Sequence, residues 1–224
     1  MRYAQPAAGY RTGIEPVLLA AACPARAGER VLELGTGAGA GLLCLAWRVA
    51  GVVGVGVEVD PAMAAATRDN FGAALAVVEA DVMALPELGA FDHVIANPPW
   101  HGSTSTPSPI AGRRLAKQAT AETLPGWVGA GAGRLRAGGS FTLVLPAASA
   151  AGGYAALGAA GFGAVAMFPL WPRAGVAARL ILLQARLGAR GPSRVLAGGV
   201  LHDGPGWTAW ADAVLREGGA IALS

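Results

Sequence analysis

The sequence predicts an α/β fold built on a mostly parallel sheet, and three observations indicate it. Short runs rich in Val, Leu and Ile alternate with helical segments between residues 14 and 187, which is typical of consecutive βαβ units. These runs are almost continuously apolar, as expected of parallel strands covered on both faces. The 224 residues are 54% hydrophobic and only 14% charged. That balance supports a sizeable core and excludes a disordered regulator.

Seven strands are predicted, each from a short apolar run that a glycine, a proline or a polar turn ends. They are residues 30–34, 52–59, 75–79, 91–96, 140–145, 162–168 and 179–187. Helices are predicted from start signals, such as a proline in the first turn, and, for a buried helix, from apolar residues all around the helix axis. They are residues 14–23, 39–49, 61–71, about 113–135 with a break near Pro125 and Gly126, 154–160 and 209–217. Residues 101–109 are predicted to form a polar loop, and residues 198–203 a short separate segment.

We expect a single domain over residues 1–224, with an N-terminal cap segment at 1–28, a core at 29–190 and a C-terminal extension at 191–224. The first residues show no long apolar run before a cleavage site, so no signal peptide is predicted. Cys23 and Cys44 lie in apolar runs without a nearby Cys or His. These features predict a cytoplasmic protein with reduced thiols, no membrane span and no metal. The sequence leaves the oligomeric state open, with a monomer favoured.

Charge is divided unevenly along the chain. Residues 1–110 hold 6 basic and 10 acidic groups, whereas residues 111–224 hold 11 basic and 4 acidic groups, a net charge of −4 against +7. Such asymmetry indicates a polyanionic partner for the second half, although a small cationic surplus can also be a solvated face.

The segment ELGTGAG, residues 33–39, ends a predicted strand, turns the chain and starts a helix. Glycines there let the backbone approach a ligand closely, and the helix N-terminus offers free N–H groups. Glu58 follows Gly35 by 23 residues and closes the second strand, where a carboxylate can accept both ribose hydroxyls of a nucleoside. The arrangement fits a dinucleotide and a nucleoside such as S-adenosylmethionine equally well.

The segment Asn97-Pro98-Pro99-Trp100 follows the fourth strand. Two prolines fix an extended turn, which aims the Asn97 side chain and the Pro98 carbonyl at one point. Two such oxygens accept hydrogen bonds from a planar NH2 group and steer its lone pair toward an electrophile. Trp100 offers a stacking surface for a flat group. Taken alone, the segment could also be an ordinary loop with a packed tryptophan.

Together ELGTGAG and ANPPW resemble the class I S-adenosylmethionine-dependent methyltransferases that alkylate exocyclic amines. The segments GYRTGIEPVLLAAA, NPPWHG and VLHDGPGWTAWADAVLR extend the likeness over nearly the whole chain, and they are similar to the tRNA(Val) adenine-37 N6-methyltransferase family. The resemblance implies a Rossmann-like fold with seven strands in a mostly parallel sheet and helices on both faces. It also implies S-adenosylmethionine as cofactor and an RNA substrate, most readily adenine 37 in a tRNA anticodon loop.

The resemblance assigns roles to individual residues, although most relatives carry Tyr or Phe where this chain has Trp100. The expected catalytic residues are Asn97, Pro98, Pro99 and Trp100. The expected cofactor-binding residues are Glu33, Gly35, Thr36, Gly37, Gly39, Glu58, Asp81 and Asn97. The resemblance also makes Trp100 a substrate-binding residue. His101, Arg113, Arg114 and Lys117 are expected to bind substrate because they follow the Asn-Pro-Pro segment in the sequence, and Arg173 and Arg179 are weaker candidates for phosphate contact. Asp81 also suits a helix N-cap.

Other interpretations stay open on the sequence alone. The Asn-Pro-Pro geometry also suits a protein glutamine N5-methyltransferase and a ribosomal RNA guanine N2-methyltransferase. A non-enzymatic RNA-binding module of the same fold is the alternative of another class.

We predict no general base, a structural role for His93, and mainly packing roles for four tryptophans. The tryptophans are Trp127, Trp171, Trp207 and Trp210.

Overall fold

The computed structural model describes residues 3–5, 12–99 and 123–223. The strands are β1 Arg30–Leu34, β2 Val53–Glu58, β3 Leu75–Glu79, β4 Phe91–Ala96, β5 Leu135–Pro146, β6 Phe162–Trp171, β7 Leu180–Leu187, β8 Arg194–Val195, β9 Gly199–Val200, β10 His202–Asp203 and β11 Gly206–Trp207. The α-helices are α1 Glu15–Ala22, α2 Ala40–Arg48, α3 Pro61–Asn70, α4 Thr123–Ala132, α5 Ala150–Ala159 and α6 Ala209–Glu217. Short 3-10 helices span Val82–Ala84 and Ala147–Ser149.

The central sheet has the strand order β3-β2-β1-β4-β5-β7-β6-β8, and β9 also pairs with β6. Strands β1 to β5 run parallel to one another, whereas β7 lies antiparallel between β5 and β6. The predicted seven-stranded, mostly parallel sheet is therefore confirmed. Two strands of two residues each, β8 and β9, extend the edge of β6, and β10 and β11 form a separate hairpin.

Helices cover both faces of the sheet, as predicted. Helices α1, α2 and α6 contribute to a core on one face, where α1 contacts both of the other helices. Helices α4 and α5 contact each other and contribute to the core on the opposite face. Within the described ranges, no helix is long and apolar enough to cross a membrane.

The carboxyl ends of the parallel strands meet at one edge of the sheet, which we call the carboxyl edge. Leu34 at the end of β1 pairs with Val57 of β2 and with Ala96 at the end of β4. The turn between β6 and β7 lies at the same edge, because Leu180 at the start of β7 pairs with Pro146 at the end of β5. The turns that follow β1, β2, β4 and β6 are therefore brought together.

Helix α4 and its surroundings differ from the sequence prediction. The predicted break near Pro125 and Gly126 is wrong, because α4 begins at Thr123 and continues through both residues. Proline is tolerated in a first helical turn, where its missing N–H has no partner to lose. The strand β5 begins at Leu135, the last residue of the predicted helix and five residues before the predicted strand, and α5 starts four residues before the predicted 154. Residues 113–122 lie outside the described part of the chain.

Candidate functional site

The turn between β1 and α2 lies at the carboxyl edge and depends on glycine. Gly35, Gly37 and Gly39 have φ angles of +66°, +59° and +87°, a region that other residues adopt at a cost. A Cβ atom on Gly39 would also lie 2.5 Å from Cε1 of Phe71. The three predicted glycines therefore shape a turn whose backbone conformation other residues adopt only at a cost.

Glu58 ends β2 and holds the glycine turn from the neighbouring strand. Its Oε2 accepts a hydrogen bond from the Gly37 N–H at 2.8 Å, and its Oε1 accepts one from the Asp60 N–H at 2.9 Å. Burial raises the pKa of Glu58, an effect that these backbone hydrogen bonds partly offset. Each carboxylate oxygen has a second lone pair, so Glu58 can still accept hydroxyl donors from a ligand.

Glu33 lies beneath the glycine turn. It is 4% exposed, and its Oε2 accepts hydrogen bonds from the Thr36 hydroxyl at 2.6 Å and from the Leu42 N–H at 3.1 Å. Burial raises its pKa to about 7, and the nearby charge of Glu58 adds to the effect. In this arrangement Glu33 fixes the turn to the start of α2. Its predicted contact with a cofactor stays a prediction.

Helix α3 supports the same turn through two side chains that the sequence motifs do not include. The Thr67 hydroxyl lies 2.6 Å from the Gly37 carbonyl oxygen, and Asn70 Nδ2 donates to the Ala38 carbonyl at 2.9 Å. Asn70 also pairs with both backbone groups of Ala4, at 2.8 and 2.7 Å. The signal available in the sequence was the spacing of Thr67 and Asn70, which puts two polar side chains on one helix face.

Asp81 lies at the carboxyl edge after β3. Its Oδ1 accepts a hydrogen bond from the Met83 N–H at 2.9 Å, so its role as an N-cap is confirmed. The Asp81 side chain is exposed, which leaves its second oxygen accessible to a ligand. The predicted contact with the adenine amine of a cofactor stays a prediction.

Asn97, Pro98 and Pro99 follow β4 directly, with Pro98 buried and Asn97 partly buried. Because Leu34 and Ala96 are paired, Gly35 and Asn97 begin adjacent turns at the carboxyl edge. Neighbouring strands in a sheet lie about 4.8 Å apart. The glycine turn and the Asn-Pro-Pro segment are therefore neighbours. The predictions for Trp100, His101, Arg113, Arg114 and Lys117 lie outside the described residues.

Helix α4 contributes a tryptophan to the site. A Cβ atom on Gly35 would lie 2.5 Å from Cη2 of Trp127, so the indole rests against the glycine turn. Gly126, its neighbour in α4, lies against the Met83 side chain. The predicted packing role of Trp127 is confirmed by its contacts with the core on the face of the sheet that α4 and α5 cover. No motif in the sequence indicates that its indole reaches the glycine turn.

Two further predictions concern residues away from the glycine turn. His93 is buried in β4, with Nδ1 at 2.7 Å from the Ser140 hydroxyl and Nε2 at 3.0 Å from Glu29, which confirms a structural role. Arg173 and Arg179 are exposed in the turn between β6 and β7, at the carboxyl edge.

The donor and acceptor set at this edge suits a nucleoside that carries an amino-acid group. The glycine turn runs along the carboxyl edge with its three positive-φ residues, and Glu58 beside it presents acceptors suited to hydroxyl groups. Asp81 lies one strand further, where an exposed carboxylate can accept a hydrogen bond from an amine. The residues present therefore fit S-adenosylmethionine.

Comparisons with known proteins agree with this arrangement. Residues 31–116 match the family described as a methyltransferase domain. Three curated proteins named tRNA1(Val) (adenine(37)-N6)-methyltransferase are similar to the chain. The one from Tolumonas auensis is 29% identical over 150 residues, which cover 63% of this chain and 62% of the relative. The one from Dickeya chrysanthemi is 30% identical over 148 residues, with coverages of 62% and 58%.

A solved structure extends the likeness of the fold to most of the chain. The crystal structure of a predicted O-methyltransferase from Agrobacterium tumefaciens has a TM-score of 0.77 and is 24% identical, covering 92% of this chain and 98% of that one. The similarity to the curated relatives spans about three fifths of their length. The chain thus has the fold of the class I S-adenosylmethionine-dependent methyltransferases, and it resembles the tRNA1(Val) adenine-37 N6-methyltransferases.

Proposed function

We propose that the protein transfers the methyl group of S-adenosylmethionine to N6 of an adenine in RNA, with adenine 37 of a tRNA anticodon loop as the favoured target. The observation that carries the proposal is the position of Asn97 and Pro98. They directly follow β4, the strand that pairs with β1, and they therefore lie beside the glycine turn. A planar amine held at Asn97 would lie next to a cofactor held at Gly35. The names of the curated relatives favour RNA as the source of that amine.

Several residues would hold the cofactor, each through a group that the fold already places. The backbone of Gly35, Gly37 and Gly39 would receive the amino-acid part, Glu58 the ribose hydroxyls and Asp81 the adenine amine. Thr36 and Glu33 would keep the turn in shape through their mutual hydrogen bond of 2.6 Å. When bound, S-adenosylmethionine supplies a methyl group on a positively charged sulfur.

The chain's contribution to the transfer is chiefly to position the amine. The Asn97 amide oxygen and the Pro98 carbonyl would accept the two N6 hydrogens and turn the nitrogen lone pair toward the methyl carbon. Methyl transfer from a sulfonium is a direct displacement, so orientation can supply much of the rate enhancement. The N6 proton can leave to solvent after alkylation, and we therefore assign no general base.

The proposed partner is a single-stranded or looped RNA. An adenine must leave its stack to reach such a pocket, which costs least in a loop. The surplus of basic residues after residue 110 favours a polyanionic substrate. In the complex with RNA, the target base would stack on Trp100, and His101, Arg113, Arg114 and Lys117 would contact the RNA.

We also propose a cytoplasmic location and a single domain over residues 1–224.

Replacing Asn97 with alanine separates cofactor binding from transfer. We expect Asn97→Ala to lose transfer of labelled methyl to unmodified tRNA by about 10²-fold or more, a loss typical of removing one group that orients a transition state. Binding of S-adenosylhomocysteine, followed by calorimetry, should change less than threefold.

Two results would contradict the proposal. An equal loss of binding and transfer would contradict the role assigned to Asn97. Labelling of protein in place of RNA by the wild type would support glutamine methylation instead.

A further inference from the structure

The Trp127 indole packs closely against the Gly35 backbone. A Cβ atom on Gly35 would lie 2.5 Å from Cη2 and 3.0 Å from Cζ3 of the indole. Real Cβ atoms essentially never come as close to another atom as the 2.5 Å to Cη2, so this indole edge occupies the space of a Gly35 side chain. Gly35 is thus required twice, by its φ of +66° and by the tryptophan beside it.

The register of the sheet places this contact beside the proposed reacting amine. Gly35 follows Leu34 of β1, Asn97 follows Ala96 of β4, and Leu34 and Ala96 are paired. Helix α4 lies on the face of the sheet opposite α2, and Trp127 reaches the carboxyl edge from that face. The indole therefore lies where the turns after β1 and β4 begin.

The neighbouring residue of α4 extends the same wall. Gly126 lies against the Met83 side chain, and Met83 donates its backbone N–H to Asp81. Met83 is 59% exposed. Trp127 is itself only partly buried. The indole and the thioether thus lie between Gly35 and Asp81, two residues assigned to the cofactor.

We propose that Trp127 contacts the bound cofactor and bounds the pocket in which the cofactor and the target amine meet. This inference rests on the proposed function, since it concerns the same cofactor. The indole fills the space beside Gly35, and Met83 continues the surface toward the adenine end.

The fluorescence of the protein tests this role without turnover. Binding of S-adenosylhomocysteine to the wild type should change the tryptophan emission, and Trp127→Phe should lose at least half of that change. Trp210→Phe is the matched control, because Trp210 is also partly buried but packs against Phe168 on the opposite face of the sheet. This control should keep the full response. Calorimetry on all three proteins measures the affinity in parallel.

The outcomes distinguish this inference from the proposed function. Absence of any binding heat with the wild type would contradict the proposed function itself. Normal binding heat with an undiminished emission change in Trp127→Phe would overturn the role of Trp127 alone. Trp127→Leu, which removes the ring, should weaken binding about tenfold, while Trp210→Leu should leave it within twofold. Equal affinities of the two leucine variants would also overturn the inference.

Discussion

Glu33 is a buried carboxyl group on which the shape of the glycine turn depends. Its hydrogen bonds from the Thr36 hydroxyl and the Leu42 N–H join the turn to α2. The same burial penalises its charge and raises its pKa to about 7. The residue thus carries an energetic cost at neutral pH that an amide of the same shape would not carry.

This cost predicts a pH dependence of stability. In the unfolded chain Glu33 ionises near 4.5, whereas in the folded protein it stays protonated up to about 7. The free energy of unfolding should therefore fall as pH rises from about 4.5 to 7 and level off above that, by roughly 2–4 kcal/mol from this group. Glu33→Gln should lack that fall in urea unfolding curves measured across the range.

Glu217→Gln serves as the control, because Glu217 is exposed at the end of α6. This variant should follow the wild-type pH profile. A Glu33→Gln profile parallel to that of the wild type would contradict the assigned burial effect.

The elements that the sequence predicted best are those bounded by local signals. Strands β1, β3 and β4 and helix α6 have their predicted bounds, because each is a compact run between turn residues. The two-residue strands β8 and β11 could not be predicted, since only pairing with a distant partner makes them strands. The break proposed in α4 was wrong because Pro125 falls in the first turn of the helix, where proline is accommodated.

The residues of the candidate site also separate into those that local sequence signals predict and those that they do not. The glycines, Glu58 and Asn97 could be predicted because each closes a strand or lies in the turn that follows it, and parallel strands end at one edge. The contacts of Thr67, Asn70 and Trp127 with the glycine turn could not be predicted, because they depend on how α3 and α4 lie against the sheet. No local pattern around Trp127 indicates that its ring reaches Gly35.

The turn between β6 and β7 carries a testable part of the RNA proposal. Arg173 and Arg179 are exposed there, two to three strands from β4 along the carboxyl edge. Each basic side chain that neutralises an RNA phosphate adds about 0.7–0.9 to the slope of log affinity against log salt. Replacing both residues with alanine should therefore weaken tRNA binding and reduce the magnitude of that slope by about one to two units in binding titrations.

Arg186 and Arg190 provide a control with the same charge change. Arg186 pairs with Ser140 at the opposite edge of the sheet, and Arg190 is exposed three residues beyond β7. The double alanine variant at these positions should bind tRNA with nearly the wild-type slope. Equal effects of the two double variants would indicate a general charge effect and contradict a defined RNA path.

At the scale of the whole molecule, the acidic and basic halves of the chain correspond to the two parts of the proposed site, the cofactor region and the RNA path. The acidic first half supplies Glu33, Glu58 and Asp81, which lie at or beneath the proposed cofactor site. The basic second half begins past the Asn-Pro-Pro segment and includes the arginines of the β6–β7 turn. A cofactor region beside a path for a polyanion would account for both halves.

The identity of the methylated nucleoside tests the central claim most directly. The purified protein would be incubated with labelled S-adenosylmethionine and unmodified tRNA, and the RNA would then be digested to nucleosides and separated. We predict that the label appears in N6-methyladenosine and that Asn97→Ala abolishes it. Label in N2-methylguanosine, or in protein glutamine with none in RNA, would contradict the claim.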